Sequence, residues 1–125
     1  MGYVVVFIGA GLGGALRHFV GWASLRLLGP NFPYGTLFVN IVGSMLMGLF
    51  IALLAARNLP GQNVRLFLTT GFLGGFTTFS TFSLDTITLW ERGQIAACVS
   101  YVLISLAVSL LGLFGVLFAA RALVH

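Results

Sequence analysis

Charge is what this 125-residue sequence has least of: 6% of its residues are charged, two are acidic and lysine is absent. A soluble domain carries about 25% charged residues, so the chain cannot cover itself with a water-facing surface. Cysteine is nearly absent too. Cys98 stands alone in an apolar run, which excludes a disulfide scaffold and a cysteine-based metal site and leaves a small buried hydrophobe. Acids and histidines are too few to cluster around a metal. One His18 and one Asp85 support no Ser–His–Asp constellation, and no glycine-rich phosphate loop is present, so an enzyme is not expected. What is abundant is hydrocarbon: 59% of residues are hydrophobic and the mean hydropathy is +1.11. The formal charge of +4 comes from arginines at 17, 26, 57, 65, 92 and 121, placed singly near the ends of apolar runs. That pattern anchors membrane edges; it is not a nucleic-acid patch.

A helix needs roughly 20 apolar residues to cross the hydrocarbon core. Four segments meet that length, at about 3–28, 35–56, 66–90 and 95–120, within one transmembrane domain over 1–125. The linkers GPNFP (29–33), RNLPGQNVR (57–65) and ERGQ (91–94) supply helix stops. The N-terminal run lacks a basic start and exceeds the usual length, so a cleaved signal peptide is not expected. Four spans put both termini on one side, with Arg57, Arg65 and Arg121. Arg26 and Arg92 lie on the other, and Arg17 leans that way. The positive-inside rule then gives almost no bias. Either the chain inserts both ways, as an antiparallel homodimer would require, or the charges are too few to vote. Gly9-xxx-Gly13, Ser44-xxx-Gly48 and the small residues Gly14, Gly43 and Gly112 allow close helix contact, within one chain or between copies.

The stretch GFLGGFTTFSTFS (71–83) sits inside the third segment. Gly71, Gly74 and Gly75 each weaken a helix by roughly 1 kcal/mol relative to alanine. The hydroxyls of Thr77, Thr78 and Thr81 compete for backbone partners, so a break is expected near 74–78. In lipid, a break must be buried in protein or line a watery cavity. Its freed carbonyls, Gly74 and Thr77 foremost, suit a hard monovalent cation. A glycine-rich packing patch without an ion is the alternative. Phe76, Phe79 and Phe82 recur every third residue and are expected on one face of the resumed helix, as core packing or with ring edges toward an anion. Ser80, Thr81 and Ser83 interleave hydroxyls with Thr78.

Tyr101, Ser105 and Ser109 are spaced i, i+4, i+8 and form a hydroxyl track on one helical face. Asn40, costly in hydrocarbon unless paired, either joins helices or offers its amide to an anion. Arg17 lines water or snorkels to the interface. His18 beside it is read as interfacial, and Asp85 as an arginine partner or a vestibule residue. The embedded polar groups are mainly donors, and a narrow donor-lined path favours a small anion whose hydration is replaced group by group.

Over essentially its whole length the chain resembles the Fluc-type (CrcB) fluoride channels. The residues that carry the resemblance are GGALRH (13–18), GTLFVNIVGS (35–44) and above all GFLGGFTTFSTFS (71–83). The resemblance implies an all-α membrane protein of four transmembrane helices, the third broken mid-membrane. It implies assembly as an antiparallel dual-topology homodimer in the inner (plasma) membrane of a prokaryote, with two fluoride pores. A central sodium ion would be held by backbone carbonyls that fall on Gly74 and Thr77. The pore phenylalanines fall on Phe79 and Phe82, the pore asparagine on Asn40 and the vestibule arginine on Arg17. The polar track falls on Ser105 and Ser109, with Tyr101 one turn earlier and Leu113 one turn later; Ser80 and Thr81 complete the expected lining. Fluoride would leak outward, driven by about 2.3 kcal/mol per charge per 100 mV. The rivals are a four-span drug exporter and a structural membrane subunit. An exporter wants an embedded carboxylate in the first span, where this chain has Arg17. A structural subunit leaves the hydroxyl and phenylalanine alignment unexplained.

Overall fold

The computed structural model describes residues 1–57 and 61–124, excepting the side chains of 56 and 57. The described residues form helices α1 (Gly2–Leu28), α2 (Tyr34–Arg57), α3 (Gln62–Arg65), a π-helical segment (Leu66–Leu73), α4 (Gly74–Phe76), α5 (Phe79–Glu91) and α6 (Ile95–Val124), with no strand among them. Three helices are long and apolar enough to cross a membrane: Gly2–Leu28, Tyr34–Ala55 and Ile95–Val124. The third apolar segment is divided into shorter pieces.

Local chemistry sets the ends. Gly29 closes α1 at φ +85°, a backbone state that disfavours any Cβ, and its N–H donates to the Leu25 carbonyl. Pro33 immediately precedes α2. At the far end of α5, Gly93 turns at φ +78° and donates to the Trp90 carbonyl, while Gln94 donates to that of Leu89. Arginines mark helix ends: Arg26 lies over the Trp22 ring and Arg121 over Phe118.

Packing is backbone against backbone. α1 lies along the π-helical segment and α4, and α2 lies along α6. A Cβ on Gly9 would stand 2.8 Å from the Phe67 carbonyl oxygen and 2.9 Å from the Phe72 nitrogen. Those two residues are five apart, the spacing that a π turn joins. One turn on, a Cβ at Gly13 would overlap the Phe72 carbonyl, and one at Gly75 the Ala10 carbonyl. Gly48 is as close to α6, 2.7 Å from the Leu113 carbonyl oxygen. Gly9, Gly13 and Gly48 therefore serve contacts within the chain. Nothing in the sequence announced the π-helical stretch; its wider turn accompanies this close approach to α1.

The interior is small. Val39, Leu73 and Phe76 form one buried cluster, and Leu89, Cys98 and Tyr101 another. Large side chains such as Phe7 and Leu123 instead face outward, at 80% and 87% exposure. In water such a surface would be costly; against lipid it costs nothing.

Candidate functional site

The chain changes direction at two threonines. α4 ends at Phe76; Thr77 (φ −88°, ψ 160°) and Thr78 (φ −152°, ψ 125°) are extended, and α5 starts at Phe79. Each threonine stabilises the helix end beside it. The N–H and the hydroxyl of Thr77 both donate to the Leu73 carbonyl, at 3.0 Å each. The Thr78 hydroxyl accepts from the Thr81 N–H at 3.2 Å and so caps α5.

Two long-range side chains complete the junction. Asn40 Nδ2 donates to the Thr78 carbonyl at 2.9 Å, and its Oδ1 accepts the Thr78 N–H at 2.8 Å. The amide thus pairs with both backbone groups of one extended residue, as a neighbouring strand would. Of the two readings of Asn40, the joining one is realised, and one of its two amide hydrogens remains. Arg17 Nε donates to the Gly75 carbonyl at 3.1 Å.

Every buried backbone group needs a partner, so the carbonyls of the break can be accounted for in turn. In a continuous helix Gly74 would accept from the Thr78 N–H, but that N–H goes to Asn40. Gly75 would accept from Phe79 and instead receives Arg17. Thr77 would accept from Thr81, whose N–H goes to the Thr78 hydroxyl. The carbonyls of Gly74 and Thr77 are left without a hydrogen-bond partner among the described residues.

Two clefts flank the junction. A cleft of about 380 Å³ is lined by Asn40, Gly74, Thr77, Phe79, Phe82, Ser105 and Ser109, and by the apolar Met47 and Leu113. The Phe79 and Phe82 ring centroids are 5.6 Å apart. The hydroxyls of Ser105 and Ser109 are buried and have no hydrogen-bond partner among the described residues. A second cleft of about 490 Å³ is lined by Arg17, His18, Thr81, Asp85 and Arg92. Thr78 lines both.

The structure thus brings together Asn40, Phe79, Phe82, Ser105 and Ser109 beside Gly74 and Thr77, and sets Arg17 with Thr81 in the other cleft. Ser80 is exposed, within 3.4 Å of the Thr78 hydroxyl, and is not among the lining residues of either cleft. Tyr101 is fully buried; its hydroxyl donates to Asp85 Oδ2 at 3.1 Å and its ring lies 5.2 Å from that of Phe82. It stands behind Phe82 and not in the cleft wall. Phe76 does not share the face of Phe79 and Phe82. It precedes the break and is buried with Val39 and Leu73, because two extended residues interrupt the helical register. The partners of Arg17 and Asn40 are what sequence reasoning missed, although it offered Asn40 as joining helices. The only signal was that both are polar residues within apolar spans.

The chain also has relatives among known proteins. The family described as CrcB-like protein, Camphor Resistance (CrcB), matches residues 4–117. A protein named fluoride-specific ion channel FluC from Mesorhizobium japonicum is 52% identical over 121 residues, 96% of each chain. One of that name from Rhodopseudomonas palustris is 50% identical, covering 98% of this chain and 99% of its own length. A third, from Methylobacterium nodulans, is 58% identical over 87% of each.

Proposed function

The chain belongs to the CrcB-like family, and from that premise we infer that it is a multi-pass membrane protein conducting fluoride, a channel and not an enzyme. We propose further that four spans cross the inner membrane, the third broken at Thr77 and Thr78, as one domain over 1–125. Two copies would assemble antiparallel, with a fluoride pathway along the cleft between α5 and α6 of each.

The observation that carries the pathway is the pair of unpartnered buried hydroxyls, Ser105 and Ser109, in the cleft that Asn40, Phe79 and Phe82 also line. A buried polar group without a partner costs roughly 1–3 kcal/mol, and a passing anion that accepts from it recovers that cost. Fluoride must exchange its water shell for protein donors one at a time. The two hydroxyls, the second amide hydrogen of Asn40 and the positive edges of the two rings supply such a sequence. Arg17 and Arg92 in the second cleft raise the local anion concentration at its mouth. Asp85, held by Tyr101, tempers that field.

A sodium ion fits the remaining groups. Unpaired carbonyls of an unwound helix are hard, neutral oxygen donors of the kind such ions take. Gly74 and Thr77 would supply two per chain, too few alone, and the surface exposure of Gly74 leaves room for a second copy to complete the set. When bound, the ion would fix the break by satisfying its last carbonyls. The drug-exporter reading finds no carboxylate in α1.

Fluoride efflux from liposomes holding the purified protein, read with a fluoride electrode against chloride, tests the reading. Rapid release of fluoride alone is expected. No release from well-folded protein with sodium present would overturn it in favour of a structural subunit.

A further inference from the structure

Arg17 enters the proposed function as a charge, yet its one hydrogen bond among the described residues uses Nε and not the terminal amino groups. Nε reaches across to α4 and donates to the Gly75 carbonyl at 3.1 Å, linking residues 58 apart in sequence. We infer that Arg17 is the positioning residue of the break: through Nε it occupies the Gly75 carbonyl, and so fixes the strand of backbone on which Gly74 and Thr77 present theirs. The inference rests on the proposed cation site and goes beyond it, because it assigns to a residue of the anion vestibule a role at the cation carbonyls.

Gly75 lies between Gly74 and the extended pair, and its own helical donor, the Phe79 N–H, is carried off by the extension of Thr77 and Thr78. Without Arg17 a third carbonyl would be loose among the two that face the proposed ion, and the last turn of α4 would be held only at Leu73, by Thr77. α1 cannot slide to compensate. Gly13 of α1 already lies against Phe72, and Gly75 of α4 against Ala10, so closely that neither glycine tolerates a Cβ. The bond is therefore made at a fixed separation of the two elements, which is what a positioning contact requires. Arg17 also lines the second cleft, so Nε serves the break while the terminal amino groups stay available to the vestibule.

These two roles can be separated by side-chain length. In glutamine the amide nitrogen is as many bonds from Cα as Nε is in arginine, so Arg17→Gln keeps the donor and removes the charge. In methionine the terminal methyl takes that place, so Arg17→Met removes both at similar bulk. The full-length protein and both variants would be heated in detergent across a sodium series, with potassium replacing sodium at constant ionic strength. Arg17→Gln should keep the parent's sodium concentration for half-maximal stabilisation. Arg17→Met should need up to about tenfold more, the fold-change of one net hydrogen bond. Equal shifts in the two variants would assign the effect to charge, and no shift in either would leave the bond without influence; both results overturn the inference. Should the parent show no sodium dependence, the proposed cation site fails. The bond is then judged by unfolding temperature alone, where Arg17→Met must fall below Arg17→Gln for a positioning role to stand.

Discussion

Replacing Asn40 with alanine should weaken the fold more than the loss of one interhelical side chain suggests. The side chain makes two hydrogen bonds, 2.9 and 2.8 Å long, to the carbonyl and N–H of Thr78. Thr78 is extended, so its N–H is turned away from the Gly74 carbonyl that would accept it in a helix, and the Thr81 N–H goes to the Thr78 hydroxyl and not to its carbonyl. Two groups orphaned at about 1–3 kcal/mol each give about 2–6 kcal/mol. Thr78 borders both clefts, where water can take over part of the bonding, so the lower half of that range is expected. Equilibrium unfolding in mixed micelles measures it directly. Asn40→Asp keeps an acceptor for the Thr78 N–H but turns a second oxygen toward the Thr78 carbonyl, and should cost at least as much as alanine. A loss of only about 0.6 kcal/mol, the mean for an interhelical hydrogen bond in a membrane protein, would refute the reasoning, since Thr78 would then have partners other than Asn40.

Other perturbations should separate packing from conduction. Because the hydroxyls of Ser105 and Ser109 have no partner among the described residues, the double alanine variant should be as stable as the parent or up to about 2 kcal/mol more so, while liposome assays show fluoride efflux falling. Stability and flux falling together would mean that the hydroxyls are structural. Gly13→Ala, whose methyl would overlap the Phe72 carbonyl and approach the Phe76 nitrogen to 2.9 Å, should lose at least about 3 kcal/mol or fail to fold. Gly115→Ala, with nothing of the chain within 4 Å, should instead gain up to about 1 kcal/mol in the same unfolding titration. Phe82→Ile removes the ring edge beside Phe79 and should depress fluoride flux while leaving assembly unchanged by size-exclusion chromatography; undiminished flux would take Phe82 out of the path.

The helical class and the membrane setting were legible because both depend on composition and run length, which sequence carries directly. Local propensity also carried far at the threonines. Thr77 and Thr78 compete for backbone bonds wherever they stand, and the structure has them capping the two helix ends. The register beyond them was not legible. Three-residue spacing put Phe76 with Phe79 and Phe82, but spacing has meaning only along an unbroken helix. On the unbroken α6 the spacing of Tyr101, Ser105 and Ser109 does put them on one face, yet the Phe82 ring and Asp85 cover Tyr101. The partners of Arg17 and Asn40 lie 58 and 38 residues away, and no periodicity reports a contact of that kind. The π-helical turn escaped for a related reason: it accompanies the fit of α1 to its neighbour, not any residue of its own.

The position of the break also explains why the groups proposed for cation and anion occur so close together. Suppose residues 62–91 formed one regular helix. The carbonyls of Gly74 and Thr77 would then be spent on Thr78 and Thr81, and no oxygen would remain for a cation. Phe76, Phe79 and Phe82 would compete for one face, and the Thr78 backbone would have nothing to offer Asn40. Two extended residues change all of this together. They release the carbonyls, send Phe76 into the buried cluster with Leu73, and turn Phe79 and Phe82 toward Ser105 and Ser109. On the proposed function, then, the two sites are not independent: whatever closes the break removes the cation's ligands and the anion's lining in one step. A variant that restores helical propensity there, such as Thr77→Ala with Thr78→Ala, should lose sodium-dependent stabilisation and fluoride efflux in parallel. Retention of either one without the other would show that the sites can be built separately.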